Sequence, residues 1–402
     1  MKKALSLVLA LCMVFALCAC GNSSSTSAAP AAAAPAADAP AAAAPAASAG
    51  AIKVGSIGPV TGPAAIYGQA VENGAALAVE EINALGGLQF EFNFQDDAHD
   101  AETSVNAYGT LVDWGMQVLV GPTTTTPSAA VAAEAEADEI FMLTPSASGP
   151  SVVEGTSNVF QMCFSDPNQG IASADYIAAN NLSDAVAVIY NNGDAYSTGI
   201  YEKFNSEAAA KGINVVYVGT FTDSSQTDFS TQITAAQKAG ATMFFLPTYY
   251  TPISLIMAQA KSMNYEVSYF GVDGMDGILT LEGFDTSLAE GAYLLTPFSV
   301  DAPDAKTQNF VKAFEAKYGE TPNQFAADAY DCVYAVYEAC VANNVTADMS
   351  SSEICEILVD AFTGSFSFTG VTGSNMTWSK GGEVSKDPMA VIIQNGEYVL
   401  AK

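Results

Sequence analysis

Residues 118–128 read VLVGPTTTTPS, and the order of residue types in this stretch decides the fold class. Three consecutive apolar residues are typical of a short strand that is buried on both faces. A Gly-Pro pair ends the strand, and a run of threonines leads into an alanine-rich segment that we predict to be helical over 129–137. A buried strand, a turn and a helix form half of a βαβ unit, which places parallel strands in one sheet.

The same unit recurs along the chain, and its repetition predicts an α/β protein with doubly wound parallel sheets. The predicted strands span 52–57, 88–94, 118–120, 140–143, 185–190, 214–218, 243–246 and 268–272. The predicted helices span 65–85, 105–114, 129–137, 168–180, 196–211, 229–239, 252–263, 305–318, 326–343 and 351–362. Two short strands, 390–394 and 397–400, close the chain around an Asn-Gly turn.

Two neighbouring strand ends carry clusters of hydroxyl groups. Thr123 to Thr126 follow the first of these strands, and residues 144–148, TPSAS, follow the next. Hydroxyls and free backbone amides at a helix start hold small anions such as carboxylates, although a single Ser or Thr there more often caps the helix. Because the carboxyl ends of parallel strands meet at one edge of a sheet, the two clusters together favour an anion site.

The second half of the chain places acidic and aromatic residues at its strand ends. Asp273 follows one predicted strand, and the pair Tyr249 and Tyr250 follows the strand before it. Carboxylate charge and tyrosine rings suit an organic cation such as an ammonium group. Tyr67 and Tyr196 follow strands at equivalent points, and each tyrosine alone is also consistent with ordinary packing. The two halves together suit a zwitterion such as an α-amino acid, enclosed between two lobes.

Several sequence blocks resemble the branched-chain amino-acid-binding family, the extracytoplasmic receptors of ABC importers. They read GPVTGPAAIYG at 58–68, EEINALGG at 80–87 and FAADAYD at 325–331, and they occur in the family's order. The resemblance covers about residues 52–400. It implies a type I periplasmic-binding fold, in which two doubly wound parallel-sheet lobes are joined by a three-segment hinge. The lobes it implies are lobe one, 52–165 plus 297–371, and lobe two, 166–296 plus 372–402.

The resemblance also assigns binding roles to individual residues. The family's carboxylate-binding hydroxyl falls on Thr125, and its ammonium-binding acid falls on Asp273. The tyrosine beside that acid falls on Tyr250 or Tyr249, and the adjacent pair leaves the choice open. The implied ligand-binding set is Tyr67, Thr124, Thr125, Ser146, Ala147, Ser148, Tyr196, Tyr249, Tyr250, Asp273 and Phe325.

The charge balance argues against two classes of partner. The chain has 43 acidic and 13 basic residues and a net charge of −30. Nucleic-acid binding depends on Lys and Arg contacts to phosphate, and adsorption to anionic lipid headgroups needs the same residues. His99 is the only histidine, and the cysteines beyond the N-terminal region, Cys163, Cys332, Cys340 and Cys355, match no zinc spacing. The sequence therefore predicts no metal and no cofactor, and it leaves the disulfide state of these cysteines open.

The N-terminus predicts export and attachment to a membrane. Two lysines precede an apolar run over residues 4–16, which is typical of a secretory signal and shorter than the roughly 20 residues of a membrane span. The segment Leu17-Cys18-Ala19-Cys20 resembles a bacterial lipobox, which implies a signal peptide over 1–19 and lipidation of Cys20. Residues 20–50 are rich in Ala, Pro and Ser, and we interpret them as an extended tether.

Together these features favour a lipid-anchored extracytoplasmic receptor of a bacterium. It would bind an amino acid, branched-chain or otherwise apolar, and deliver it to an ABC permease. Two alternatives stay open from the sequence: a ligand sensor for a membrane signalling partner, and a binder of another small amide or carboxylate. An enzyme is not predicted, because the chain offers no nucleophile elbow and no Ser/His/Asp order.

Overall fold

Two separate sheets organise the chain, and a computed structural model describes them within residues 50–401. The predicted signal peptide, Cys20 and nearly all of the predicted tether lie outside these residues. The first sheet has five parallel strands in the order β2-β1-β3-β4-β5. Its strands are β1 (Ala51–Gly58), β2 (Gln89–Asp96), β3 (Val118–Val120), β4 (Phe141–Thr144) and β5 (Val159–Gln161).

The second sheet has seven strands in the order β12-β11-β10-β9-β8-β6-β7. Its strands are β6 (Val186–Asn191), β7 (Val215–Phe221), β8 (Met243–Leu246), β9 (Ser268–Gly271), β10 (Tyr293–Thr296), β11 (Met389–Gln394) and β12 (Glu397–Leu400). Strands β6 to β10 pair in parallel, whereas β11 and β12 pair antiparallel at one edge. The predicted closing hairpin is therefore confirmed.

Helices cover the sheets and define two lobes. The first lobe contains the first sheet with α1 (Ala65–Ala84), α2 (Ala101–Trp114), α3 (Thr125–Ala137), α8 (Ala305–Tyr318), α9 (Gln324–Ala342) and α10 (Ser351–Phe362). The second lobe contains the second sheet with α4 (Asp166–Ala179), α5 (Ala195–Lys211), α6 (Ser230–Ala239) and α7 (Tyr250–Ser262).

The central strands form the core because their residues are apolar on both faces. All three residues of β3 and all four residues of β8 are buried. Helices on both sides of a parallel sheet require such strands, since neither face contacts water. The four cysteines of this part of the chain are buried and carry free thiols.

The chain crosses between the lobes at three points within the described residues. The first crossing joins β5 to α4, and the second joins β10 to α8. The third lies between Lys386 and β11, so the predicted boundary at residues 371 and 372 is wrong. Trp378 Nε1 donates to the carbonyl oxygen of Gln161 at 2.8 Å, and Lys386 Nζ lies 2.8 Å from Asp328 Oδ1. These contacts hold the segment from 372 to 386 on the first lobe.

Helices α1 and α9 approach each other closely at Gly74. A Cβ atom at this glycine would lie 2.1 Å from the carbonyl oxygen of Ala326, which is a backbone atom that cannot rotate away. The first lobe therefore depends on the absence of a side chain at this position.

We predict that Gly74→Ala lowers the free energy of unfolding by about 1–3 kcal/mol, because the added methyl group forces the two helices apart. Gly109→Ala in α2 is the matched control, since a Cβ there would meet nothing within 4 Å. The control should gain up to about 1 kcal/mol from helix propensity. Urea unfolding of both variants measures the difference, and equal stabilities would contradict the close approach.

Candidate functional site

A narrow cavity of about 10 Å³ lies between the lobes, beside the carboxyl ends of strands from both sheets. A space of this size admits roughly one water molecule. Hydroxyl groups of the first lobe face a carboxylate of the second lobe across it. The lining residues are Tyr67, Thr123, Thr124, Thr125, Ser146, Tyr196, Tyr249, Asp273, Gly274 and Phe325.

The wall from the first lobe is the threonine run between β3 and α3. Ser146 reinforces it from the turn after β4, because its Oγ donates to the carbonyl oxygen of Thr123 at 2.7 Å. Thr125 Oγ1 accepts a hydrogen bond from the backbone of Gly149 at 3.2 Å. Thr124 is the residue before α3, but its side chain makes no capping hydrogen bond. The first backbone N–H groups of α3 thus stay available to an anion.

The wall from the second lobe is centred on Asp273, which follows β9 and is 4% exposed. Its Oδ1 accepts hydrogen bonds from Tyr196 Oη at 2.5 Å and from the backbone N–H of Gly274 at 2.8 Å. Gln324 Nε2 donates to the carbonyl oxygen of Asp273 at 2.9 Å and fixes the turn. Burial raises the pKa of Asp273 to about 6, although the hydrogen bond from Tyr196 opposes the increase.

Aromatic rings close the remaining sides of the cavity. Tyr67 and Phe325 lie with their ring centroids 4.2 Å apart, and Tyr196 and Tyr249 stack at 4.9 Å. Tyr67 Oη donates to the carbonyl oxygen of Gly274 at 2.5 Å, which joins the first lobe to the second. These rings give the cavity apolar walls between its polar ends.

The electrostatic environment of the cavity is negative. Tyr249 lies near three buried acids, Asp194, Asp166 and Asp273, and burial together with their charges raises its pKa well above the ordinary value. Burial also raises the pKa of Asp194 to about 6. No Lys or Arg is among the lining residues to balance these acids. The site therefore favours a ligand that brings a positive group of its own.

Most of the predicted binding residues line this cavity. They are Tyr67, Thr124, Thr125, Ser146, Tyr196, Tyr249, Asp273 and Phe325. Of the adjacent pair of tyrosines, Tyr249 reaches the cavity, whereas Tyr250 packs edge-on behind Tyr67 with ring centroids 4.9 Å apart. Tyr250 Oη instead accepts a hydrogen bond from the backbone of Ile66 at 3.3 Å, between the lobes.

Ala147 and Ser148 were predicted to contact ligand but lie outside the lining. The carbonyl oxygen of Ala147 accepts from Gln161 Nε2 at 2.7 Å, and that of Ser148 accepts from the backbone of Asp166 at 3.0 Å. These bonds direct the end of the turn toward β5 and the first crossing, away from the cavity.

A known family matches most of the chain. The match is to the periplasmic binding protein family, and it extends over residues 51–388. This chain belongs to the periplasmic binding proteins. Members of this family are extracytoplasmic proteins that bind ligands.

Relatives of this periplasmic binding protein include amino-acid-binding proteins. A Leu/Ile/Val-binding protein homolog of Brucella melitensis is 33% identical over 223 residues, which are 54% of this chain and 60% of the relative. A leucine-, isoleucine-, valine-, threonine- and alanine-binding protein of Pseudomonas aeruginosa is 28% identical over 281 residues, which are 69% and 74% of the two chains. The match thus spans less than two thirds of the Brucella protein.

Two solved structures share the architecture of this periplasmic binding protein. A leucine binding protein of Thermotoga maritima is 26% identical with a TM-score of 0.78, and 87% of this chain covers 98% of it. A branched-chain amino acid transporter substrate binding protein of Streptococcus pneumoniae, solved with isoleucine, is 28% identical with a TM-score of 0.78. That match covers 88% of this chain and 100% of the other. These similarities confirm the predicted type I fold with two parallel-sheet lobes.

His99 lies at the edge of the site, although the sequence assigned it no role in binding. Its Nδ1 lies 2.9 Å from Thr124 Oγ1, and its ring meets the Tyr249 ring edge-on at 5.3 Å. Thr124 belongs to the first lobe and Tyr249 to the second, so this ring lies where the lobes meet. Burial lowers the pKa of His99. Its position after β2, at another carboxyl strand end, was the available signal.

Thr123 and Gly274 also line the cavity, although neither belongs to the predicted ligand-binding set. Thr123 is part of the predicted hydroxyl cluster, whereas the only sequence signal for Gly274 was its position next to Asp273. Across residues 50–401, no helix is long and apolar enough to span a bilayer.

We predict that Asp273→Asn stabilises the ligand-free protein at pH 8 by about 2 kcal/mol and has less effect at pH 5. The pKa of Asp273 is about 6 in the folded chain and about 3.9 for an unfolded aspartate. Its contribution to folding stability is therefore fully present below about pH 4 and is lost as the pH rises through 6. At pH 8 the folded chain must bury an ionised carboxylate, and asparagine removes that requirement.

Urea unfolding at both pH values measures this difference. The exposed residue Asp184 provides the control, since Asp184→Asn should change stability by less than about 0.5 kcal/mol at either pH. Destabilisation of the Asp273→Asn protein at pH 8 would show that the carboxylate is favourable as an ion without a ligand.

Proposed function

We propose that this periplasmic binding protein binds an α-amino acid with an apolar side chain and presents it to an ABC permease. The observation that carries the proposal is the pairing of opposite chemistries across one cavity. A hydroxyl-rich helix start lies on the first lobe, and Asp273 lies on the second. A zwitterion satisfies both walls at once, whereas a simple carboxylate or a simple amine satisfies only one.

The α-carboxylate is proposed to lie against the first lobe. Helix α3 begins at Thr125, and the positive end of its dipole together with uncapped N–H groups attracts an anion. The hydroxyl of Thr124 lines the same wall and adds a donor that can rotate toward an oxygen, while Ser146 holds the threonine run in place through its bond to Thr123.

The ammonium group is proposed to lie against Asp273. Its Oδ1 already accepts from Tyr196 and Gly274, and a carboxylate has more acceptor positions than these two bonds use. A bound ammonium supplies the opposite charge that this buried carboxylate otherwise lacks, which favours its ionised form. Binding therefore relieves the electrostatic strain that burial imposes on Asp273.

The side chain of the ligand is proposed to contact the aromatic walls formed by Tyr67, Tyr249 and Phe325. Their rings favour an apolar group and offer no partner for a second charge. The names of the relatives support leucine, isoleucine or valine as the first candidates. The isoleucine in the Streptococcus protein adds to that support.

Entry of such a ligand requires movement, because the cavity of about 10 Å³ is far smaller than an amino acid. The contacts that must open include the bond from Tyr67 to Gly274, the bond from Ile66 to Tyr250 and the bonds from Gln324 to Asp273 and Asp276. All of these bonds join the first lobe to the second, so a hinge motion at the three crossings breaks them together.

Delivery is proposed to depend on the N-terminal segment. Residues 1–19 are proposed as a signal peptide, Cys20 as the lipidated residue and residues 20–50 as the tether. A lipid-anchored receptor is concentrated at the membrane that holds its permease, which favours encounter without any added contact. Binding and release complete the proposed cycle without covalent chemistry.

We expect L-isoleucine to bind the wild-type chain and Asp273→Asn to weaken that binding about 10- to 100-fold at pH 8, the range for a lost charged hydrogen bond. Wild-type affinity should fall about tenfold between pH 8 and pH 5, because Asp273 takes up a proton that must leave before the ammonium binds. The variant lacks this group, so its pH dependence should be flatter. Isothermal titration calorimetry measures all four affinities.

Asp184→Asn serves as the control variant in the same titrations and should bind like wild type. A screen of the other common amino acids by thermal shift extends the test, since a ligand at 100 times its Kd adds about 2.7 kcal/mol of stability. If no amino acid binds, or if Asp273→Asn binds isoleucine as tightly as wild type, the proposed orientation is wrong.

The anchor has a separate test in bacterial cells grown with labelled palmitate. We expect label in the wild-type chain and in Cys18→Ser, and none in Cys20→Ser, because only the cysteine that follows the cleavage site is acylated. The unlabelled variant should also leave the membrane fraction. Label in Cys20→Ser, or an unlabelled wild-type chain, would contradict the proposed anchor.

A further inference from the structure

A cleft much larger than the cavity lies beside it, separated from it by only a few residues. Its volume is about 610 Å³, which falls within the usual range for small-molecule sites. Three short segments, 66–67, 274–276 and 323–325, contribute neighbouring residues to the cavity and to the cleft. None of the residues proposed to hold the amino acid lines this cleft.

Both lobes line the cleft. The first lobe contributes the start of α1, one face of α8 and the segment 320–323. The second lobe contributes the turns at 276–280 and 396–398. A ligand bound here would contact both lobes at once.

The cleft combines apolar surface with carboxylates. Its apolar residues include Ile66, Leu279, Val311 and Phe314. Its acidic residues are Asp276, Asp301, Glu315, Glu320 and Glu397, and no Lys or Arg lines it. Among the described residues, no Lys, Arg or His lies close enough to any of these acids to form an ion pair. The lining therefore complements a molecule that has a positive group and an apolar body.

A buried hydroxyl group that lacks a partner lies beside the cleft. A smaller cavity of about 20 Å³ adjoins the cleft, since Asp276, Val300 and Tyr398 line both spaces. Ser299 lines this inner cavity, is 7% exposed, and has no hydrogen-bond partner for its Oγ among the described residues. A buried hydroxyl usually has a partner, so an unpaired one beside a cleft indicates a missing donor or acceptor.

Asp276 lies at the junction of the two spaces and is fixed there by hydrogen bonds. Its Oδ1 accepts from the backbone of Gly277 at 2.8 Å, and its Oδ2 accepts from the backbone of Gln324 at 3.0 Å. The side chains of Tyr398 and Gln324 are further hydrogen-bond partners of this carboxylate, so what it offers a ligand is chiefly its negative charge in a fixed place. An ammonium group near the inner end of the cleft would thus find Asp276 and Ser299 within one polar corner.

We propose that this cleft is a second binding site, which takes a small primary amine with an alkyl or arylalkyl body. The amine would lie among Asp276, Ser299 and the acidic rim, and its apolar body would pack on Phe314 and Leu279. This site does not depend on which molecule the first cavity binds.

Titration with n-hexylamine tests the proposal, with n-hexanol and hexanoate as neutral and anionic probes of the same length. We expect saturable binding of the amine to the wild-type chain by calorimetry, and binding of the other two at least tenfold weaker. The double variant Glu315→Gln and Glu320→Gln should reduce amine affinity at least fivefold. Ser299→Ala should reduce amine affinity as well, since the ammonium group loses a hydrogen-bond acceptor.

The control is the double variant Glu154→Gln and Glu202→Gln, which removes the same charge from exposed positions outside the cleft. It should bind hexylamine like wild type. Equal losses in the two double variants would mean that net charge alone attracts the amine, and hexanol binding as tightly as hexylamine would mean a purely apolar surface. Either result, or no saturable binding, overturns the proposal, whether or not isoleucine binds.

Discussion

The site exists because parallel strands all end at the same edge of a sheet. In each lobe the turns at the carboxyl ends of the strands meet on one side, and the two sides face each other across the cleft. Residues as distant in sequence as Thr125 and Asp273 therefore line one cavity. In the proposed function each lobe supplies one half of a site for a zwitterion, so a bound ligand would join the two lobes.

The contacts that hold the two lobes closed differ in kind from the contacts at the hinge. The lobes meet through tyrosine hydroxyls and backbone groups, as in the bond from Tyr67 to Gly274, and such bonds exchange readily with water when the cleft opens. At the third crossing, by contrast, Lys386 and Asp328 form an ion pair in which both side chains are 2% exposed. Lys386 also donates to Thr372 Oγ1 at 2.7 Å. Buried pairs add little net stability but penalise other arrangements, so this one fixes where the hinge begins.

Much of this arrangement was predictable because it rests on local patterns. The run at 118–128 predicted a buried strand and a hydroxyl-rich turn, and residues of that turn line the cavity. Short strands were harder to predict. Strands β5 and β10 were not predicted, because they have only three and four residues and no alternation of apolar and polar side chains. They form strands because they pair with neighbouring strands of the sheet. Helix α3 begins at Thr125, four residues earlier than predicted, because tertiary contacts override the modest helix propensity of threonine.

The remaining differences concern long-range contacts, which no local pattern contains. The third crossing was placed too early because residues 372–386 have neither helical nor strand periodicity. Long-range contacts attach them to the first lobe, among them the hydrogen bond from Trp378 to Gln161 and the ion pair of Lys386 with Asp328. The sequence assigned no binding role to His99, yet its side chain reaches Thr124 and Tyr249. The choice between Tyr249 and Tyr250 likewise depends on how α7 begins, which sequence spacing did not determine.

The central claim is that one zwitterion bridges the two lobes in a fixed orientation. A crystal structure of the protein grown with L-isoleucine tests it most directly. The account predicts the ammonium nitrogen within hydrogen-bond distance of the Asp273 carboxylate, and the ligand carboxylate against Thr124, Thr125 and the start of α3. An isoleucine bound in the reverse orientation, or bound without contact to Asp273, would contradict it.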